Sequence, residues 1–336
     1  MMERLHFELP EFTRLSWVSA RARTTWEPRV DRIRQAWLEI EWQAVAAGVR
    51  RCAVTMASPE EFLRRGSRWA QLGLNALPVE MQGVAHAYVN RSVPYEAGKP
   101  FLFRFVLGKP ADTAEFARVW EVQDQAAIGR LLGYPACCYD FFQKTWVDDG
   151  LVDTTWPMAV ASATAGGGEL VEVSGPPQAN ILWRWLGVRP VSHLPCRFDC
   201  PATVALADRL LAVGREAGFG DEMSWLLEIL RWPVEWSALH GIAEIKTPVL
   251  KITTMTDATA RKYVVRRHGD AYPPEGAVGL SFPYRQPHVP LLTQSLGFQR
   301  GLENPIALPD AEPCGVTPSG APTERIQLGV KNPWSG

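Results

Sequence analysis

A mixed α/β or α+β fold, with helices packed on a mixed or antiparallel sheet and cysteine clusters at helix N-termini, follows from three observations. Helical and extended patterns interleave over the first 130 residues. Period-two alternation then marks VEWSALHGIAEIKTPVLKITT and RKYVVRRHG, as half-buried antiparallel strands require. Between these stretches, two cysteine pairs stand where helical runs begin: Cys137-Cys138 in LLGYPACCYDFF, and Cys196 with Cys200 in VSHLPCRFDCP.

In chain order, the pattern predicts a helix over about Pro28 to Gly48 and a strand at Arg51–Met56. A second helix opens at Ser58-Pro59-Glu60-Glu61, which has the capping-box form. Extended runs near Val79–Val89 and Pro100–Leu107 are followed by one long helix from Ala111, which Gly133-Tyr134-Pro135 breaks before the ACCYDFF helix. A Gly166-Gly167-Gly168 turn precedes the strand GELVEVSG, a short helix carries Trp183 and Trp185, and two helices end near Arg231. The boundaries are an N-terminal α/β region at 1–130, a cysteine-cluster domain with C-terminal antiparallel strands at 131–287, and a Pro/Gly-rich extension at 288–336.

The 336 residues, 46% hydrophobic, are ample for one large or two modest domains. Lys plus Arg at 35 against Asp plus Glu at 36 leaves no basic footprint, which speaks against nucleic acid or an anionic membrane as partner. The first residues, MMERLHFELPEFTRLSW, lack the apolar core of a signal peptide, and no apolar run reaches the ~18 residues of a membrane span. A cytoplasmic location, where thiols stay reduced, is the expectation, and a small molecule is the expected substrate. Of the 14 tryptophans, Trp183, Trp185, Trp225, Trp232 and Trp236 lie close together in sequence, as pocket walls or as core.

The cysteines carry the chemistry. Pro201 suits the first helical position, which makes Cys200 the N-cap of PATVALADRLLAVGREAGF and sets its sulfur beside free amide N–H groups. Cys196 falls in the loop just before. Cys137 and Cys138 fall in a first helical turn, roughly 100° apart about the axis, so one is expected as a firm ligand and the other as a ligand of a larger cluster, a catalytic thiol, or core. Cys52 reads as a small core residue, and Cys314 lies in the proline-rich tail.

Three chemistries fit this set. Structural zinc sites favour two C-x2-4-C or H-x3-5-H hooks, which C-x3-C and a vicinal pair match poorly. Iron–sulfur clusters accept irregular spacing and often have proline after a ligand, as Cys200-Pro201 does, so a 4Fe–4S cluster on Cys137, Cys138, Cys196 and Cys200 leads, with zinc the alternative. His193 is a further metal ligand candidate or a group that orients one. A metal-free thiol enzyme, with Cys200 or Cys137 as nucleophile, is the third. No C-x3-C-x2-C triplet points to radical chemistry on S-adenosylmethionine. His240 and Glu235 in EWSALHGIAEIK are the catalytic candidates, because ionisable groups inside apolar strands often mark sites. Arg266, Arg267 and Arg285 have the chemistry to clamp a carboxylate. Together these features suggest an iron–sulfur enzyme acting on a small amino-acid-like metabolite by lyase, sulfur or redox chemistry, the alternative being a non-catalytic binding module held by zinc.

GYPACCYDFF resembles the Gly-Tyr-Pro-x-Cys-Cys pattern of a group of uncharacterised bacterial and archaeal proteins. HLPCRFDCPAT, with WPVEWSALHGIAEIKTP and YPPEGAVGLSFPY, is similar to a bacterial domain associated with methyltransferases. The resemblance covers roughly Leu131 to Pro287 and carries over no catalytic residue. It implies a methyltransferase partner in a separate chain, since no methyltransferase glycine motif stands here.

Overall fold

The computed structural model describes residues 12–84, 93–151, 153–257 and 261–276. The extension at 288–336, with Cys314, lies outside them, as does Arg285. The architecture is α+β, built on two sheets that share one long helix.

The elements begin with β1 (Thr13–Trp17) and α1 (Ala20–Ala46), followed by β2 (Cys52–Ala57), α2 (Pro59–Gln71), β3 (Asn75–Gly83), β4 (Val93–Pro94) and β5 (Phe101–Gly108). Next come α3 (Pro110–Glu121), α4 (Gln125–Leu131), α5 (Ala136–Phe142) and α6 (Thr155–Ala161). The hairpin β6 (Ala163–Gly167) and β7 (Leu170–Val173) leads through a long loop to α7 (Pro201–Glu216) and α8 (Gly220–Leu230). Strands β8 (Val234–Leu239), β9 (Ile242–Lys246), β10 (Leu250–Met255) and β11 (Tyr263–Arg267) are the last elements among the described residues.

The large sheet has the order β1-β10-β9-β8-β11-β7-β6, antiparallel except where β11 runs parallel to β7. The small sheet, β2-β5-β3-β4, is antiparallel throughout. Helix α1 buries Trp26, Val30, Ile33 and Ile40 in the core of the large sheet, and Trp42 and Val45 in that of the small one. Because β1 pairs with β10, the first described strand joins those that follow Pro233. The tryptophans mainly fill core. Trp26 packs edge-on to Trp232 at 4.6 Å, Trp183 lies 5.7 Å from Trp232, and Trp236 is fully buried.

Several local expectations shift. The first helix begins at Ala20 rather than Pro28, because the Ser19 side chain accepts the Ala22 N–H at 3.0 Å and Trp26 packs into the core from the added turns. Pro28 then sits inside the helix, giving up one backbone hydrogen bond. The single helix expected from Ala111 is two, parted at Gln123 (φ 55°) and restarted by Asp124, whose carboxylate accepts the Ala127 N–H at 2.9 Å. Gly166 and Gly167 belong to strand β6, so the turn narrows to Gly168-Glu169. Ser58 caps α2 as its motif requires, accepting the Glu61 N–H at 3.2 Å.

Candidate metal centre

Two helix starts, far apart in sequence, deliver the four sulfurs. Gly133 adopts φ 73° after α4, where a side chain would meet Arg50 Cβ at 2.9 Å, and the chain then turns through Tyr134-Pro135 into α5. Cys137 and Cys138 occupy its first turn. The other pair sits on the loop before α7, where Cys200 is the N-cap and Pro201 the first helical residue. Phe198, fully buried, pins that loop, and its N–H donates to Ser162 Oγ at 3.2 Å. Gly175 passes so close beneath that a Cβ there would stand 2.1 Å from the Phe198 carbonyl oxygen.

The four Sγ atoms all lie within 4.8 Å of one another. Cys138 and Cys200 are 3.6 Å apart, Cys137 and Cys200 3.7 Å, and Cys137 and Cys138 3.9 Å. These separations are far beyond the roughly 2.05 Å of a disulfide, and all four are free thiols. The vicinal pair therefore converges, which gives the second sulfur a place in the same centre, one of the three roles the sequence left open for it. Helical Cβ atoms tilt toward the N-terminus, so in a first turn both side chains lean past the helix end and meet there despite their angular separation.

Burial divides the set: Cys138 and Cys200 are 2% and 1% exposed, Cys196 is intermediate, and Cys137 faces solvent. Burial pushes the Cys138 thiol well above its usual range, although the Thr203 hydroxyl and the Cys196 N–H support its anion. Burial, together with the neighbouring sulfurs, pushes Cys196 up to about 12. At Cys200 burial works in the same direction, but the hydroxyl and N–H of Thr203 and the thiols of Cys138 and Cys196 outweigh it and bring the thiol down to about 7. Burial thus resists the anion at Cys138 and at Cys196. A divalent cation removes that resistance, because thiols bound to it are deprotonated outright.

Thr203 is the residue that the sequence reading missed. One turn into α7, its hydroxyl lies 3.3 Å from Cys138 Sγ and 2.9 Å from His193 Nε2. His193 therefore stands behind the sulfurs, one hydrogen bond removed from Cys138. Burial, with Arg50 nearby, lowers its pKa to about 3, so the ring is neutral, and it lies 5.2 Å from the Tyr134 ring. Donation from Nε2–H to Thr203 frees the threonine proton for sulfur. Next to His193, Ser192 donates to Glu41 Oε1 at 2.5 Å, and buried Arg50 holds Glu41 at 2.8 Å and Ser192 at 3.2 Å. This ion pair ties the cysteine loop to α1.

The other site candidates stand apart from the sulfur group. His240 is exposed at the tip of the β8–β9 hairpin, where His240 (φ 51°) and Gly241 (φ 79°) form the two-residue turn. Glu235 is held by Arg266 at 2.9 Å and Lys246 at 3.6 Å, its partners on the two flanking strands, so it belongs to a charge ladder across the sheet. Arg266 is spent on that ladder, and buried Arg267 donates to the carbonyls of Gly175 and His268. Cys52 is fully buried in the core, as expected. Two surface clefts, of about 440 Å³ beside Trp42 and Arg68 and about 300 Å³ beside Arg14 and Lys251, include none of the four cysteines. Among the described residues, no helix is long and apolar enough to cross a membrane.

Comparison of the chain with protein-family models, curated proteins and solved structures finds no match.

Proposed function

We propose that this chain is a metal-thiolate protein in which Cys137, Cys138, Cys196 and Cys200 hold one tetrahedral ion, zinc first, tying α5 to the loop before α7. The sulfur spacing carries this reading. Zn–S bonds of about 2.3 Å in a tetrahedron put the sulfurs about 3.8 Å apart, and three of the pairs stand at 3.6, 3.7 and 3.9 Å. A 4Fe–4S cubane carries its ligand sulfurs on the outside of a body of irons and sulfides, farther apart than ligands sharing one ion. Four thiolates close the coordination sphere, as structural zinc sites do. The N–H and O–H donors around Cys138 and Cys200, and the N-terminal end of α7, suit the net negative charge of such a centre. The function that follows is a metal-stabilised binding module, with the ion folding energy for two loops that have few regular elements of their own.

The second reading is a 4Fe–4S enzyme acting on a small amino-acid-like metabolite. It is favoured by the exposure of Cys137, which leaves one edge of the centre open to solvent, and by the proline after Cys200. Anaerobic purification with zinc, iron and sulfide analysis separates the two. One metal per chain without sulfide is expected, and four irons with four sulfides would replace the first reading by the second. A protein that takes up neither after reconstitution overturns both.

A further inference from the structure

We propose that Cys137 is the reactive thiolate of the centre, a modification site for soft carbon electrophiles. This rests on the reading that the four sulfurs share one metal ion, and it adds an inequality among the ligands. Ion binding makes all four sulfurs thiolates, so the ordinary contest among thiol pKa values no longer selects the nucleophile. Access and hydrogen bonding select it instead.

Both favour the same atom. Cys138 and Cys200 are 2% and 1% exposed, while Cys137 faces solvent. The sulfur of Cys138 takes the Thr203 hydroxyl at 3.3 Å and the Cys196 N–H, while that of Cys200 lies sealed at the positive end of α7. Each such bond withdraws electron density from the lone pairs an attack would use. The contacts of Cys137 Sγ are other sulfurs, 3.7 Å to Cys200 and 3.9 Å to Cys138. Cys137 is thus the exposed residue of the set, with sulfurs as the contacts of its Sγ, whereas Cys200 is shielded.

With iodoacetamide as the electrophile, a lone pair on Cys137 Sγ forms the new S–C bond while the C–I bond breaks and iodide leaves with its electron pair. The attacking sulfur is already a thiolate, so no proton moves. The product is a neutral thioether, a much weaker ligand than the thiolate it replaces, and the centre loses one negative charge. Alkylation at Cys137 therefore loosens the ion, and the site reports the presence of electrophiles through its own metal occupancy.

The test is a time course of metal-loaded, full-length protein with limiting iodoacetamide, read by peptide mass spectrometry, with metal content measured on the same samples. Cys137 is expected to be labelled at least tenfold faster than Cys138, Cys196 or Cys200, with metal release following that label. Cys137→Ala, assayed in parallel, is expected to lose the fast phase. Metal bound at one ion per chain, with Cys196 or Cys200 labelled first or all four at one rate, overturns the proposal and leaves the single-ion reading intact. A protein that holds no metal overturns both.

Discussion

Two clusters of ionisable side chains in this molecule are built in opposite ways. The cysteine centre gathers four thiols from two helix starts, with Cys138 and Cys200 sealed from solvent, Thr203 against Cys138, and His193 and the Glu41–Arg50 pair behind. The ladder of Glu235, Lys246 and Arg266 lies on the face of the sheet, each member opposite its partner on a neighbouring strand. The ladder follows from strand register alone, and its members solvate or pair at little cost. The centre places four like groups together and seals two of them, Cys138 and Cys200, from water, an arrangement that folding tolerates only if something else compensates. That difference marks the centre as the functional candidate and the ladder as sheet surface.

Removing a central sulfur gives the largest expected effect. Cys200→Ser replaces a soft thiolate with a hard hydroxyl at the N-cap of α7, so metal binding is lost together with the folding energy coupled to it. We expect bound metal to fall to background and stability to drop by about 4 kcal/mol or more, the range in which lost metal sites stand out among point mutants. Metal analysis and urea unfolding check this. Full metal content in Cys200→Ser and Cys196→Ser would erase the contrast between the two clusters.

Next in size is the ion pair behind the centre. Glu41→Ala leaves Arg50, only 3% exposed at its side chain, with no carboxylate, and it removes the acceptor of Ser192. Breaking a buried pair from one side costs about 3–5 kcal/mol. The sulfurs are untouched, so the variant should bind one metal per folded chain while its urea midpoint falls sharply. A shift no larger than that of a surface substitution would show that water reaches Arg50.

What could be seen in the sequence separates along the same line. Cys200 at the N-cap with Pro201 behind it, Ser58 capping α2, and the alternating strands after Pro233 are local signals, and the structure carries each of them. The meeting of Cys138 with Cys200 spans 62 residues and depends on how α5 and α7 pack, which no local pattern states. Spacing also argued against a vicinal pair sharing one ion, because the 100° rule describes a helix interior and both sulfurs reach beyond a helix end. Thr203 had a visible signal: it stands three residues after the N-cap, where a capping-box side chain reaches back. The candidates His240 and Glu235 failed to join the centre for a simple reason: alternation identifies a strand with a polar face, and a polar face is most often a solvated one.

Thr203→Val sharpens the role of the intermediate layer. Valine keeps the shape but removes the hydroxyl that joins His193 to Cys138, so buried polar atoms on both sides lose a partner. A cost of about 1–3 kcal/mol is expected from the unsatisfied groups, and metal affinity should weaken by about 10–100-fold, as it does when an outer partner of a ligand is removed. Competition with a chromophoric chelator measures the second quantity. Unchanged affinity would mean that Thr203 fills space and does not tune the sulfurs.

The smallest effects belong to the sheet, and they test whether its ionisable groups do chemistry. Glu235→Gln removes an acceptor shared by two cations, Arg266 with 47% and Lys246 with 28% of its side chain exposed. Partly exposed pairs of this kind are worth about 0–1 kcal/mol, and neither cation is stranded in the interior. At His240 the backbone is left-handed, φ 51°, beside Gly241 at φ 79°. Asparagine tolerates that conformation and β-branched residues do not, so His240→Asn should be near neutral and His240→Val should cost about 1–2 kcal/mol. The ordering Asn above Val, read from urea midpoints with metal content unchanged in both, is what a turn residue gives. A catalytic imidazole would respond to loss of its ring, so a functional assay that fell equally in both variants would move His240 back into the site and break the contrast between the centre and the sheet.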